Sequence, residues 1–129
     1  MVNKINFFYA SHNNGIPSTI FTVDEYPKEP IMNTVFKVKA DLLLDSEPDD
    51  YSIQVTLLKD ETERNLIPEQ AFPDERITME TGQRNLTALG LSFDITVPVI
   101  HKKEFFTLTL TLRKNGKIVD TAETSLFFI

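Results

Sequence analysis

The sequence predicts an all-β domain, an antiparallel β-sandwich of about seven to eight strands. Residues 104–129 read EFFTLTLTLRKNGKIVDTAETSLFFI, and there Phe106, Leu108, Leu110 and Leu112 alternate with Thr107, Thr109 and Thr111. Strict period-2 alternation marks a strand with one buried face, and the Asn115-Gly116 that follows marks a hairpin. Two other runs, 33–44 and 86–99, alternate in the same way, and no segment carries the i, i+3, i+4, i+7 stripe of an amphipathic helix.

Taken in order, KINFFYA at 4–10 is a short aromatic strand and SHNNGIPS is a loop rich in turn formers. TIFTV at 19–23 is β-branched and reads as a strand. The DEYPKEP after it is an extended connector, because each proline drives its predecessor out of helix. In 33–44, Phe36, Val38, Ala40, Leu42 and Leu44 share the inward parity, with Lys37, Lys39 and Asp41 outward. DSEPDD turns the chain, and 51–58 resumes with Ile53, Val55 and Leu57 inward. These two runs are expected to pair as a hairpin across the acidic turn. Residues 63–67 suit a short edge segment, because Pro68 and Pro73 cannot sit in a central strand; one helical turn could fall at 68–73. Residues 77–80 form a further short strand closed by Thr81-Gly82-Gln83. In 86–99, Leu89, Leu91, Phe93, Ile95, Val97 and Val99 face inward, and Pro98 marks a strand end or an edge.

The last hairpin admits two registers. A two-residue Asn115-Gly116 loop sets Leu112 opposite Val119. A three-residue loop, 114–116 with Gly116 as a left-handed bulge residue, sets Leu112 opposite Ile118, Leu108 opposite Ala122 and Asp120 opposite Leu110. The second puts more apolar side chains on the core face and is the one expected, although Asp120 then sits awkwardly.

With 129 residues the chain suits one domain, 1–129, with a single core. It has no cysteine, hence no disulfide and no thiolate metal site. The opening MVNKINFFYASHNNG has no apolar core of a secretory signal, and no apolar run spans a bilayer. The expectation is a cytoplasmic protein with no membrane partner. The net charge is −6, and residues 41–80 hold twelve acids against three bases. Elsewhere the bases fall in scattered pairs such as Lys37/Lys39 and Lys102/Lys103, not in the clusters that phosphate binding needs, so nucleic acid is not an expected partner.

A catalytic constellation is hard to assemble. His12 and His101 are the only imidazoles, Ser11 beside His12 points the other way on extended chain, and no G-x-S-x-G elbow exists. Glycines at 15, 82, 90 and 116 stand singly and make no phosphate cradle. Asp45, Glu47, Asp49 and Asp50 offer hard oxygens to calcium, but not in the order of an EF-hand loop. Tyr9, Tyr26 and Tyr51 are too dispersed to suggest a sugar-stacking platform. The remaining feature is surface apolarity. Phe7/Phe8, Phe105/Phe106 and Phe127/Phe128 are adjacent pairs, so one member of each must leave the core face. Phe105 shares its parity with Thr107, Thr109 and Thr111, and these four are the candidate partner-contact residues.

The final hairpin, with Leu110, Leu112, Asn115, Gly116, Ile118 and Val119 in the form L-x-L-x-x-N/D-G-x-x-I/V, resembles that of small uncharacterised bacterial immunoglobulin-like β-sandwich proteins. The resemblance implies a fold and no activity. The immunoglobulin character is one of outline, since the disulfide and the buried Trp of antibody domains are both missing. The expected function is a non-enzymatic binding or structural module acting through a protein partner or self-association, with no cofactor. The alternatives are a small-ligand, carbohydrate or calcium-binding domain using the 45–50 loop, and a component of a phage or cell-envelope assembly.

Overall fold

The computed structural model describes residues 2–11, 18–21, 31–73, 76–80, 86–101 and 103–129; the side chains of 76–80 are not among what it describes. The described residues form nine strands: β1 (Lys4–Ser11), β2 (Ile20–Phe21), β3 (Ile31–Leu44), β4 (Tyr51–Lys59), β5 (Thr62–Gln70), β6 (Arg76–Glu80), β7 (Thr87–Ile100), β8 (Phe105–Lys114) and β9 (Lys117–Phe128). One sheet has the order β1-β3-β7-β6 and the other β2-β9-β8-β4-β5. All neighbours are antiparallel except β2, which lies parallel to β9 through Ile20↔Phe127 and Phe21↔Phe128. The all-β antiparallel sandwich is thus the fold, with β2 a short strand added alongside β9. The connector at 22–30, the loop at 12–17 and the 81–83 turn lie outside the described residues.

The alternation does what periodicity requires. Phe36, Val38, Ala40, Leu42 and Leu44 of β3 are all buried, as are Ile53, Val55 and Leu57 of β4 and Phe106, Leu108, Leu110 and Leu112 of β8. Both sheets contribute to one hydrophobic cluster. Phe21, Phe36, Phe106 and Phe128 meet within it, with ring centroids 5.0 Å apart for Phe21–Phe36 and 5.5 Å for Phe106–Phe128, both edge-on. Pro98 does not end β7. It lies in the half of the strand beyond Leu91, where the described residues pair with β3 alone, so its missing N–H breaks no ladder on the other side. Asn33, with φ of 52°, faces it. Beyond that rung it is Ile31 and Ile100 that are buried, one step out of the alternation on each strand.

Three expectations are corrected. First, β3 and β4 do not pair. The acidic turn, which contains a 3-10 turn at Pro48–Asp50, carries the chain from one sheet to the other. Alternation specifies which face is buried, not which sheet buries it, and a six-residue connector can arch as readily as fold back. Second, residues 68–70 extend edge strand β5 through Pro68, and no helical turn forms at 68–73. Third, the last hairpin takes neither anticipated register throughout. Lys114 pairs with Lys117 around a two-residue loop in which Asn115 and Gly116 both have positive φ, 50° and 82°, the geometry that suits the twist of the flanking strands. The register then shifts at Val119, setting Leu112 opposite Asp120 and Leu108 opposite Thr124.

That shift turns Asp120 toward β1. Its Oδ2 accepts the Ile5 N–H at 2.8 Å, beside a bulge in β1 between Ile5 and Phe7. One carboxylate therefore ties the edge of the four-stranded sheet to β9 of the other. Asp120→Ala is expected to cost about 1–2 kcal/mol, because a part-buried N–H loses a charged acceptor. Chemical denaturation measures the loss, and faster amide exchange at Ile5 localises it.

Candidate functional site

Two clusters of polar and apolar groups lie at opposite ends of the five-stranded sheet. The first is built on the outer face at the β4–β5 turn. Phe105 pairs with Phe127, and Phe127 pairs with Ile20, so three bulky side chains line up across β8, β9 and β2. Their chain neighbours Phe106, Phe128 and Phe21 point into the core, which obliges this row to point out. Ile20 is 62% exposed and Phe105 55%. Leu58, exposed on β4, pairs with Thr107 one step along the same face.

Leu58, Phe105 and Thr107 line a surface hollow of about 420 Å³ together with Lys59, Asp60, Glu61, Lys103 and Glu104. Asp60, Glu61 and Lys103 all have positive φ, of 49°, 67° and 65°. At Asp60 and Glu61 this is the two-residue loop between Lys59 and Thr62, the same turn geometry as Asn115-Gly116, and it suits the twist of β4 and β5. Glu104 fixes the rim. It forms an ion pair with Lys59, whose Nζ stands 5.7 Å from the centre of the Phe106 ring. Its Oε1 accepts the His101 N–H at 2.5 Å.

The candidate contact residues occupy this outer face unequally. Phe105 is exposed, Thr107 and Thr109 are half-buried, and Thr111 is nearly enclosed. Thr111 lies between Gln54 and Thr121 on its neighbouring strands, so this end of the threonine row is sheltered by its neighbours. Ile20 and Leu58 were not singled out from the sequence. Neither has local signal, since each becomes notable only through the strand that pairs beside it.

The second cluster closes the other end. Asp45 follows β3, Tyr51 opens β4, Lys114 ends β8 and Asn3 precedes β1. Lys114 Nζ donates to Asp45 Oδ1 at 2.9 Å. The Tyr51 hydroxyl lies between Asn3 Oδ1 and Asp45 Oδ1, 3.2 Å from the latter. The Asp45 N–H donates to Asn3 Oδ1 at 3.2 Å. The hydrogen bond from Lys114 holds the Asp45 carboxyl below its ordinary value; burial pulls the other way, and the Tyr51 and Asn3 contacts reinforce the lowering. Burial, followed by the Asp45 charge, pushes the Tyr51 phenol up to about 12. Tyr51 packs flat against Phe72, centroids 6.0 Å apart.

The four acids considered for calcium do not converge. Asp45 is engaged with Lys114, Asp50 accepts the Ser46 hydroxyl, and among the described residues no three His, Asp or Glu side chains group as metal ligands. His12 lies outside the described residues, and His101 is exposed. Ser11 is buried, its hydroxyl without a hydrogen-bond partner among the described residues. No helix among them is long and apolar enough to cross a membrane.

No protein-family model matches the chain, and no curated protein does. Among solved structures it is similar to a bacterial adhesin from Mobiluncus mulieris containing intramolecular disulfide, isopeptide and ester bond cross-links, with a TM-score of 0.56 and 16% sequence identity. The match covers 96% of this chain and 49% of that one, so the chain spans about half the adhesin's length. At this identity the likeness is one of fold, a β-rich bacterial architecture.

Proposed function

We propose that this chain is a single-domain, non-enzymatic β-sandwich module that binds a protein partner through the outer face of its five-stranded sheet. The observation that carries the reading is the outward row Ile20–Phe127–Phe105, exposed at Ile20 and Phe105 and half-buried at Phe127, continued by Leu58 and Thr107 to a hollow walled by Asp60, Glu61 and Lys103. An apolar centre with charged groups around it is the anatomy of a protein interface, where desolvated aromatics supply most of the affinity and the rim supplies specificity. Thr107 and Thr109 extend the flat surface, with Thr111 at its sheltered margin.

The immunoglobulin-like outline belongs to this reading. It is supported by the strand order β1-β3-β7-β6 against β9-β8-β4, which follows the A-B-E-D and G-F-C order of that fold. The lack of cysteine supports a cytoplasmic location. A building block of a cell-envelope or phage assembly is the second reading, favoured by the likeness to an adhesin.

Phe105→Asp tests the interface. It is expected to leave the fold intact, because the side chain is 55% exposed, and to weaken self-association or partner retention by about tenfold or more, roughly 1.4 kcal/mol. Light scattering after size exclusion measures the first, and quantitative affinity capture the second. Thr96→Asp, on the other sheet, is the control. Equal behaviour of Phe105→Asp and the unaltered chain in both assays would remove the interface.

A further inference from the structure

The Asn3–Asp45–Tyr51–Lys114 cluster contains the parts of a self-reacting amide site. Lys114 carries a primary amine, a nucleophile once it loses a proton. Its Nζ is 2.9 Å from Asp45 Oδ1, within reach for proton transfer. The other carboxylate oxygen, Asp45 Oδ2, is buried and has no hydrogen-bond partner among the described residues. Asn3 supplies a carboxamide whose orientation is settled by its neighbours: the Asp45 backbone N–H can only donate, so the atom 3.2 Å from it is the oxygen. The Tyr51 hydroxyl meets that same oxygen. Two donors on one carbonyl oxygen polarise it and are placed to hold an oxyanion. Tyr51 keeps its proton for this purpose because its ring is buried against Phe72.

We propose that Lys114 and Asn3 form an intramolecular isopeptide bond, with Asp45 relaying the proton and Tyr51 with the Asp45 N–H holding the carbonyl oxygen. Asp45 takes a proton from the Lys114 ammonium. The Nζ lone pair attacks Asn3 Cγ, and the carbonyl electrons move to Oδ1. Asp45 delivers the proton to Asn3 Nδ2, the Cγ–Nδ2 bond breaks, and ammonia leaves as Oδ1 recovers its double bond. The amine's second proton goes to the departing ammonia, so ammonium is the by-product and no oxidant, reductant or cofactor is required. The bond joins the segment before β1, in one sheet, to the end of β8, in the other. It is independent of the outer-face interface proposed above.

Intact-mass spectrometry of the folded full chain, followed by tandem spectrometry of a tryptic digest, tests it. The expected result is a chain lighter than its sequence by one ammonia, and a branched peptide joining the Asn3 and Lys114 segments. Asp45→Asn and Lys114→Arg, each confirmed as folded by circular dichroism, are expected to restore the full mass. A full-mass unaltered chain overturns the proposal. So does an ammonia loss mapped to a succinimide at Asn115-Gly116, or a branched peptide that persists in Asp45→Asn.

Discussion

Phe36→Ala is expected to destabilise the fold by about 3–5 kcal/mol, the cost of deleting a fully enclosed aromatic ring. Phe36 is 1% exposed and stands at the junction of the two sheets. Its ring meets Phe21 edge-on at 5.0 Å and Phe128 at 5.9 Å, and Phe128 in turn meets Phe106. Removing it opens a void that strands of both sheets would have to fill, and β-sheets held by long ladders relax little. Small domains have about 5–15 kcal/mol in total, so the variant would stand near its unfolding threshold. Urea denaturation reads the change as a lower midpoint at an unchanged slope. Phe36→Leu, which keeps most of the volume, is expected to lose about 1–2 kcal/mol. A loss below about 1 kcal/mol for the alanine variant would show that these rings do not join the sheets.

A second large effect is expected in alkali. The Tyr51 phenol sits at about 12 in the folded protein against an ordinary value of 10.0. Burial is the principal cause and the neighbouring Asp45 charge the next. Both favour the neutral phenol. The native state therefore resists ionisation more than the unfolded chain does. The stability this represents is complete below pH 10 and is lost as pH rises through 12. At 1.36 kcal/mol for each unit the loss has an upper bound of about 2–3 kcal/mol, and solvent screening around the phenol oxygen at the sheet end brings the expected loss to about 1–2 kcal/mol. Denaturation midpoints measured across this range, compared with those of Tyr51→Phe, isolate the contribution from lysines and from the other tyrosines. Ultraviolet difference spectra give the phenolate titration directly. The same alkaline slope in both proteins would mean that Tyr51 is not enclosed as described.

The outer-face row and the four-residue cluster differ in how far they could be read from residues alone. Phe105 was legible, because its parity with Thr107, Thr109 and Thr111 makes an outward aromatic stand out. Ile20 and Leu58 were not, because a single exposed aliphatic on a short strand is ordinary. From the sequence Asp45 is one of four acids on a turn that offer oxygens to calcium. Its partners Asn3 and Lys114 lie 42 and 69 residues away, and no local pattern links them. Asp120 is the sharpest case. From the sequence it is an ill-placed charge on an apolar face; in the fold it is the acceptor for Ile5 N–H.

By itself the sequence determined that the chain is all-β, where most strands run and which side chains turn inward. Side chains on a strand alternate with a period of two, so inside and outside are written locally. Only the tertiary structure decided that β3 and β4 belong to different sheets, that β9 slips one residue at Val119, and that residues 20, 105 and 127 stand in one row. Each of these depends on which strand lies next to which, and that choice is made by packing energies summed over segments far apart in the chain.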